Sequence, residues 1–210
     1  KLPKIVIPVH LSGQSCDMKE INELSKQYGF KIIEDASHAI GAKYNNDPVG
    51  NCQYSDITVF SFHPVKIITS GEGGMCTTNS QDLASLLCQF RSHGITRHEH
   101  EMTKKPDGPW YYQQINLGYN YRMTDIQAAL GLSQLKRLDD FIIKRHKIVK
   151  KYNIAFKDKP IITPFQGPNN YSSFHLYIIR IKNAGQGLTR LDLFKKLREA
   201  GILVNIHYIP

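Results

Sequence analysis

The chain has 210 residues, of which 41% are hydrophobic and 21% are charged. This composition predicts a folded protein and excludes a disordered one. No uninterrupted apolar run approaches the roughly 20 residues that a membrane-spanning helix requires. The four cysteines include no Cys-x-x-Cys pair. We therefore expect neither a metal site nor a disulfide framework, and we expect reduced thiols in a cytoplasmic protein.

The formal net charge is +9, and the basic excess is concentrated at residues 136–151. Basic residues alternate there with apolar ones, such as Leu138, Ile142 and Val149, at helical spacing. This pattern favours the solvated face of a helix over a groove that binds nucleic acid or another polyanion. A protein that handles a small anionic molecule would have a similar composition.

Strand and helix signals alternate through the first half of the chain. Apolar and β-branched runs predict strands at residues 5–10, 30–35, 56–62 and 74–78. Asp17 followed by Glu20 resembles a capping pair and predicts a helix that ends near Gly29. A second helix is predicted from Ser80 to about His93.

This alternation predicts an α/β fold with a mostly parallel sheet. In such sheets ligands bind at the carboxyl ends of the strands. Those ends are expected at Asp35 and in the segment after Phe62.

The second half begins with a long polar connection at residues 94–117. Thr124 and Gln127 form a capping-box pattern, and helical spacing continues to about residue 157, which predicts a linking helix roughly 50 Å long. A small α/β unit follows, with strands at 174–181 and 202–210 and a helix between Thr189 and Gly201. Both ends of the chain are interpreted as internal positions of a longer protein.

A lysine with unusual surroundings stands after the 56–62 strand. Lys66 lies among Val65, Ile67 and Ile68, and glycines follow at 71–74. Desolvation lowers the pKa of a lysine and makes the neutral, nucleophilic amine available. Glycines let the backbone approach a bound cofactor closely. A loop lysine before a glycine turn explains this segment equally well when it is taken alone.

A second polar segment, at residues 34–39, follows an earlier strand at the same predicted sheet edge. Asp35 could hold a protonated heterocyclic nitrogen while His38 reaches a substituent of the same ring. A pyridoxal phosphate site requires this arrangement, because the ring acts as an electron sink only while its nitrogen stays protonated. An aspartate that caps the following turn is the alternative.

Six segments together resemble the DegT/DnrJ/EryC1/StrS family of sugar aminotransferases. They keep the order and spacing of that family over nearly the whole chain, at residues 7–14, 34–39, 61–66, 71–74, 91–94 and 117–125. The segments 91–97 and 108–112 are most similar to the branch that makes pseudaminic acid precursors, the UDP-4-amino-4,6-dideoxy-N-acetyl-β-L-altrosamine transaminases.

The resemblance implies the aspartate aminotransferase-like type I fold. Residues 1–123 would be the C-terminal part of a large cofactor domain, 124–157 a linking helix, and 158–210 an incomplete small domain. Members of the family begin with a further segment that carries a phosphate loop and an aromatic residue that stacks on the cofactor. The chain is therefore expected to be an internal fragment.

The resemblance also implies roles toward pyridoxal 5'-phosphate (PLP). Lys66 would hold the cofactor covalently and move protons between it and the sugar carbon. Asp35 would pair with the pyridinium nitrogen. Ser37 would pack on one face of the ring, and His38 would lie near the ring hydroxyl.

Two further residues would contact the cofactor phosphate by the same resemblance. Ser61 would donate a hydrogen bond to it, and Asn120 would reach the phosphate of the neighbouring subunit, so the site would require a homodimer. The amino group would pass from glutamate to a keto carbon, C4, of a UDP-linked deoxysugar. Some relatives carry histidine in place of the lysine and dehydrate deoxysugars instead, so Lys66 favours transamination.

Some alternatives remain open. His175 and Tyr208 are expected on small-domain strands, where a half-buried structural role is favoured over substrate contact. Trp110 could stack on a sugar or uracil ring, or could anchor its loop. A non-catalytic member of the fold that binds polyanions through the +9 charge is the alternative to an enzyme.

Overall fold

The computed structural model describes residues 1–182 and 189–207. The α-helices of these ranges are α1 (Met18–Tyr28), α2 (Gln81–Arg91), α3 (Asp125–Leu135), α4 (Leu138–Ala155) and α5 (Arg190–Glu199). The strands of four or five residues are β2 (Lys31–Asp35), β5 (Ile57–Ser61) and β6 (Gly74–Thr77). The two-residue strands are β1 (Ile5–Val6), β3 (Lys43–Tyr44), β4 (Asp47–Pro48), β7 (Ile95–Thr96), β8 (Gln113–Gln114), β9 (Ile161–Ile162), β10 (Asn170–Tyr171) and β11 (Arg180–Ile181). Single 3₁₀ turns cover Leu11–Gly13 and Glu99–Glu101.

The main sheet has the strand order β1-β2-β5-β6. β2 pairs in parallel with both β1 and β5, with Ile33 opposite Ile57 and Asp35 opposite Val59. β6 runs antiparallel to β5. The structure therefore confirms the predicted α/β fold and mostly parallel sheet, with β6 as the antiparallel exception.

The helix boundaries agree with most of the capping signals. Ser80 accepts a hydrogen bond from the Leu83 N–H at the start of α2, and Thr124 forms a complete capping box with Gln127 at the start of α3. The predicted Asp17 cap is wrong, because its side chain makes no capping hydrogen bond. α1 still begins directly after Asp17, so a buried Met18 rather than the cap fixes this end.

The predicted single helix over residues 124–157 is wrong. The chain turns at Lys136 and Arg137, and α3 and α4 are separate helices. The turn directs α4 onto the sheet domain, where Ile142 is buried and packs against Gly41. Apolar residues keep helical spacing across the turn, so periodicity alone cannot reveal it.

The C-terminal part has less regular structure than the sequence predicts. β9 and β11 form an antiparallel pair, and α5 begins with a capping box at Thr189. Of the strand predicted at 174–181, only Arg180–Ile181 is present, because the backbone at 172–176 bonds to residues 12 and 13 instead of to a strand. Residues 202–207 form no strand, and Tyr208 lies outside the described residues.

The larger core cluster lies under the carboxyl edge of the sheet. Its buried members are Ala36, Ala39, Ala42, Phe60, Phe62 and Ile68. Small residues after β2 and large ones after β5 bring the two following loops into contact. Across residues 1–182 and 189–207, no helix combines the length and the apolar character that crossing a membrane requires.

Candidate active site

Two neighbouring parallel strands end at the predicted site. Asp35 is the last residue of β2, and Ser61 is the last residue of β5. The Asp35 Oδ1 accepts a hydrogen bond from the Ser37 N–H at 3.0 Å, which fixes the carboxylate at the start of the following turn. Asp35, Ser37 and Ser61 are all half-buried, so each can be reached from outside.

A buried network lies on the other face of β2. The Glu34 carboxylate accepts hydrogen bonds from His10 Nε2 at 2.7 Å, from Thr58 at 3.1 Å and from Ser55. Burial raises the pKa of Glu34, but these donors outweigh burial and hold it below its usual range. Because successive strand residues point to opposite faces, the network fixes the end of β2 while Asp35 faces away from it.

The loop that carries Lys66 closes on itself. The Phe62 N–H donates to the Gly73 carbonyl at 2.8 Å, and the Ser70 N–H donates to the Phe62 carbonyl at 3.1 Å. Ile67 and Ile68 are buried directly after the lysine and anchor this loop in the core. The sequence places Lys66 among apolar neighbours, and two of them are the anchors.

The electrostatics of Lys66 match those of a nucleophilic amine. Its side chain is half-buried, and burial lowers the pKa of Lys66, while Asp35 opposes the shift. A lysine with a lowered pKa has more of the neutral amine that attacks a carbonyl carbon. The structure thus brings Asp35 and Lys66 into one electrostatic environment, as the sequence predicts.

His38 belongs to the same environment. Its Nδ1 accepts a hydrogen bond from the Ser12 N–H at 3.3 Å. Burial lowers the pKa of His38, Lys66 and His207 lower it further, and Asp35 opposes them. The ring is therefore neutral near pH 7, with its proton on Nε2.

Two histidines from the C-terminal part complete the cluster. The ring centroid of His175 lies 4.5 Å from that of His38, and the His207 centroid lies 5.7 Å from it. Sequence reasoning placed His175 on a strand with a favoured structural role, and it did not single out His207 or Ser12. No local pattern signals these contacts, because they join residues far apart in the chain.

Asn120 stands apart from this cluster. It is exposed, and its backbone forms an antiparallel bridge with Ser92. Within the described ranges, no hydrogen bond or ring contact joins Asn120 to Asp35 or Lys66. Its neighbours Tyr119 and Tyr121 are exposed and stack on each other at 4.8 Å.

The polar stretch before Asn120 is also open. Its short strands β7 and β8 form an antiparallel pair. Trp110 is 70% exposed, so this ring does not anchor its loop in the core. The Arg97 guanidinium lies over the ring of Tyr112 at 5.9 Å.

The described side chains fit a pyridine aldehyde cofactor. An amine with a lowered pKa can bond covalently to the aldehyde, and a carboxylate in the same environment can pair with a protonated ring nitrogen. A neutral histidine beside them can donate to a ring oxygen. Within residues 1–182 and 189–207, no group of three or more His, Cys, Asp or Glu side chains could hold a metal ion.

The chain is similar to known proteins over nearly its whole length. The model of the DegT/DnrJ/EryC1/StrS aminotransferase family matches residues 1–210. Among curated proteins, the chain is 38% identical over 209 residues to the spore coat polysaccharide biosynthesis protein SpsC of Bacillus subtilis, covering 99% of the chain and 53% of SpsC. It is 38% identical over 203 residues to the UDP-4-amino-4,6-dideoxy-N-acetyl-β-L-altrosamine transaminase of Campylobacter jejuni, covering 96% of the chain and 51% of that protein.

A solved structure with a similar fold is Helicobacter pylori PseC, an aminotransferase involved in the biosynthesis of pseudaminic acid. The TM-score is 0.82 at 34% identity, and the match covers 97% of the chain and 52% of PseC. The chain spans about half the length of the curated relatives that it matches.

Proposed function

Because the chain belongs to the DegT/DnrJ/EryC1/StrS aminotransferase family, we propose that it carries the catalytic lysine of a PLP-dependent nucleotide-sugar aminotransferase. The observation that supports this most directly is the pair formed by Asp35 and Lys66. They lie at the carboxyl ends of neighbouring strands, and burial lowers the pKa of the lysine. Aminotransferases of this family depend on PLP, and the residues of the site fit it.

Each residue of the cluster has a task in this proposal. PLP, when bound, supplies an electron sink for the bonds that are broken at the amine carbon. Lys66 Nζ would hold the cofactor aldehyde and would move a proton at the substrate carbon. The Asp35 carboxylate would keep the pyridine nitrogen protonated. Ser37 would pack on a ring face, and the His38 Nε2–H would donate to the ring oxygen.

The phosphate would be bound from two sides. Ser61 lies at the end of β5 and would donate its hydroxyl to the phosphate of its own site. Asn120 is exposed between two exposed tyrosines, which supports a place in a homodimer interface. There it would reach the phosphate of the partner's site.

We also propose specific substrates, which membership of the family does not by itself identify. We propose that glutamate donates an amino group to the C4 keto carbon of a UDP-linked deoxysugar, in the synthesis of a surface or flagellar sugar such as pseudaminic acid. The similarity to the Campylobacter transaminase and to PseC supports this. A cytoplasmic location is proposed because all four cysteines are free thiols.

Borohydride trapping tests the assignment of Lys66. The complete protein that contains this chain is expected to absorb near the visible edge after loading with PLP, and borohydride should fix the cofactor on Lys66, as read by peptide mass spectrometry. Lys66→Ala should bind PLP reversibly, show no trapping and lose turnover. Lys31→Ala is the matched control, since Lys31 lies at the start of β2, away from the site, and pairs with Asp56 at 2.9 Å.

Trapping on another lysine, or no uptake of PLP by the complete protein, would contradict the proposal.

The substrate is tested separately with a panel of UDP- and dTDP-linked keto-sugars and glutamate. Mass spectrometry and NMR then identify the sugar, the carbon and the stereochemistry of the amine. A product aminated at a carbon other than C4 would contradict the proposed position of the amine and would leave the proposed aminotransferase activity unchanged.

A further inference from the structure

A short buried segment without regular structure crosses the site. We call residues 172–175 the strap. Its four side chains belong to Ser172, Ser173, Phe174 and His175, and none is more than 9% exposed. Irregular segments usually run over the surface, where water can satisfy the backbone. A buried one needs specific partners for its backbone groups.

Two elements supply these partners. From α4, Arg145 Nη1 donates to the Phe174 carbonyl at 2.9 Å and to the His175 carbonyl at 3.2 Å. From the first 3₁₀ turn, the Gly13 carbonyl accepts from the Ser173 N–H at 3.0 Å. Ser173 Oγ then donates to the His38 carbonyl at 2.9 Å. The strap is therefore fixed both to the 3₁₀ turn at Gly13 and to the turn after β2, which carries His38.

The strap is also held in an unfavourable backbone conformation. Phe174 has a φ of 47°, in the left-handed region that large side chains avoid. Gly13, with a φ of 106°, packs so closely that a Cβ there would lie 2.5 Å from Ser173 Oγ. Strain of this kind persists where surrounding contacts enforce it, and it concentrates at functional sites. Its result here is the placement of His175 beside His38.

His175 brings an unsatisfied polar atom to this place. The residue is 9% exposed, and its Nδ1 is buried without a hydrogen-bond partner among the described residues. A buried nitrogen left without a partner destabilises the folded state, and such atoms are rare enough to require an explanation. A partner that arrives with the bound substrate would explain it.

The charges near His175 indicate what that partner is. Burial lowers the pKa of His175, and His38, Lys66, Arg145 and His207 lower it further, to about 4. No carboxylate of the described chain is among the groups that shift it. A neutral imidazole among cationic groups offers one N–H donor in a positive potential, which favours an anionic oxygen over a cation.

We propose that the Nδ1–H of His175 donates a hydrogen bond to a carboxylate oxygen of the amino donor. This inference rests on the proposed function and deepens it, because it makes the strap the element that selects an amino acid as donor.

Binding of succinate, a carboxylate that cannot react, tests this directly. Calorimetry on the complete, PLP-loaded protein should give a dissociation constant that rises roughly 10- to 100-fold in His175→Phe, as for a lost hydrogen bond to a charged group. Phenylalanine keeps the packing of the ring. His175→Asn keeps an N–H donor near Nδ1 and should stay within about threefold of the wild type.

Transamination has two half-reactions, one with the amino donor and one with the sugar, and each can be measured alone. In His175→Phe, the glutamate concentration that gives half of the maximal spectral change of the bound cofactor should rise. The amino-sugar concentration that gives half of the maximal change should stay the same. His100→Phe is the control for a histidine outside the cluster, since His100 is exposed.

The possible outcomes distinguish failure of the proposed role of His175 from failure of the proposed aminotransferase function. A wild-type protein that takes up no PLP contradicts the proposed function. A wild-type protein that takes up PLP, together with unchanged succinate binding in His175→Phe, overturns only the role of His175. Equal losses for succinate, glutamate and the amino sugar in both His175 variants would indicate a merely structural residue and would also overturn it.

Discussion

The two segments that meet beside Lys66 are held in place by different means. The sheet edge, at residues 34–38 and 61–73, consists of strand ends and loops. Its stabilising bonds span short or moderate separations, such as 11 positions from Phe62 to Gly73 and 24 positions from His10 to Glu34. The strap depends on distant partners, and Ser173 lies 160 positions from Gly13.

In the proposed site, the two segments have different tasks: one carries out the transamination and the other selects the amino donor. The sheet edge carries Asp35 and Lys66, the two groups to which the proposed function assigns the chemistry. The strap carries a residue that can distinguish one bound molecule from another, His175. Changes at the sheet edge should therefore affect turnover most, and changes at the strap should affect stability and donor binding.

Among the variants that test this difference between the two segments, Asp35→Asn is expected to have the largest effect, a loss of turnover. The asparagine Oδ1 can still accept from the Ser37 N–H, so the fold should survive, but the pyridine nitrogen loses its anionic partner. A charge-assisted hydrogen bond is worth about 1.5–3 kcal/mol, so turnover of the complete protein should fall about 10- to 100-fold. Steady-state kcat measures this, and cofactor absorbance checks that PLP still binds.

Asp56→Asn is the matched control for that variant. Asp56 precedes β5 at the opposite edge of the sheet, where it accepts from the Ile32 N–H at 2.9 Å and pairs with Lys31. This variant should lower stability and leave kcat within about twofold. If Asp35→Asn kept near wild-type turnover, the assignment of Asp35 to the ring nitrogen would be wrong.

The sequence predicts the sheet edge well because its signals are local. Strand ends, the capping box at Thr124 and the apolar neighbours of Lys66 can each be read from a few adjacent residues. The fold class follows from the alternation of these elements. The family resemblance, resting on six short segments, then implies the roles of the cofactor residues, which remain predictions.

The strap could not be predicted for the opposite reason. Residues 174–181 have the β-branched and aromatic composition of a strand, but the hydrogen bonds of 172–176 go to Gly13, Ser12 and Arg145. Nothing near His175 in sequence signals that its ring meets His38. The break at Lys136 was missed for a related reason, because the position of α4 is decided by contacts with distant residues such as Gly41.

Gly13→Ala tests how strongly the strap depends on its distant partner. The added Cβ would lie 2.9 Å from the Phe174 nitrogen, and the positive φ disfavours alanine. Overpacking of this kind costs about 1–3 kcal/mol, added to the conformational strain. We expect a corresponding loss in the free energy of unfolding, measured by urea denaturation of the complete protein at fixed concentration.

Gly29→Ala separates strain from close packing. Gly29 also has a positive φ, 74°, but a Cβ there would have no atom within 4 Å. It should cost only the strain, about 1 kcal/mol. Equal losses for Gly13→Ala and Gly29→Ala would show that the contact between the 3₁₀ turn and the strap contributes little.

The smallest expected effect comes from Ser173→Ala, which removes the one side-chain bond from the strap to the His38 carbonyl. A neutral hydrogen bond contributes about 0.5–1.5 kcal/mol, so the unfolding free energy should fall by about 1 kcal/mol. Ser172→Ala is the control, because Ser172 Oγ accepts from the Phe174 N–H within the strap. Only Ser173→Ala should move the ring NMR signals of His38, because among the described residues that bond is the one hydrogen bond between the strap and the sheet edge. Signals that move equally in both variants would mean that the strap responds as one unit.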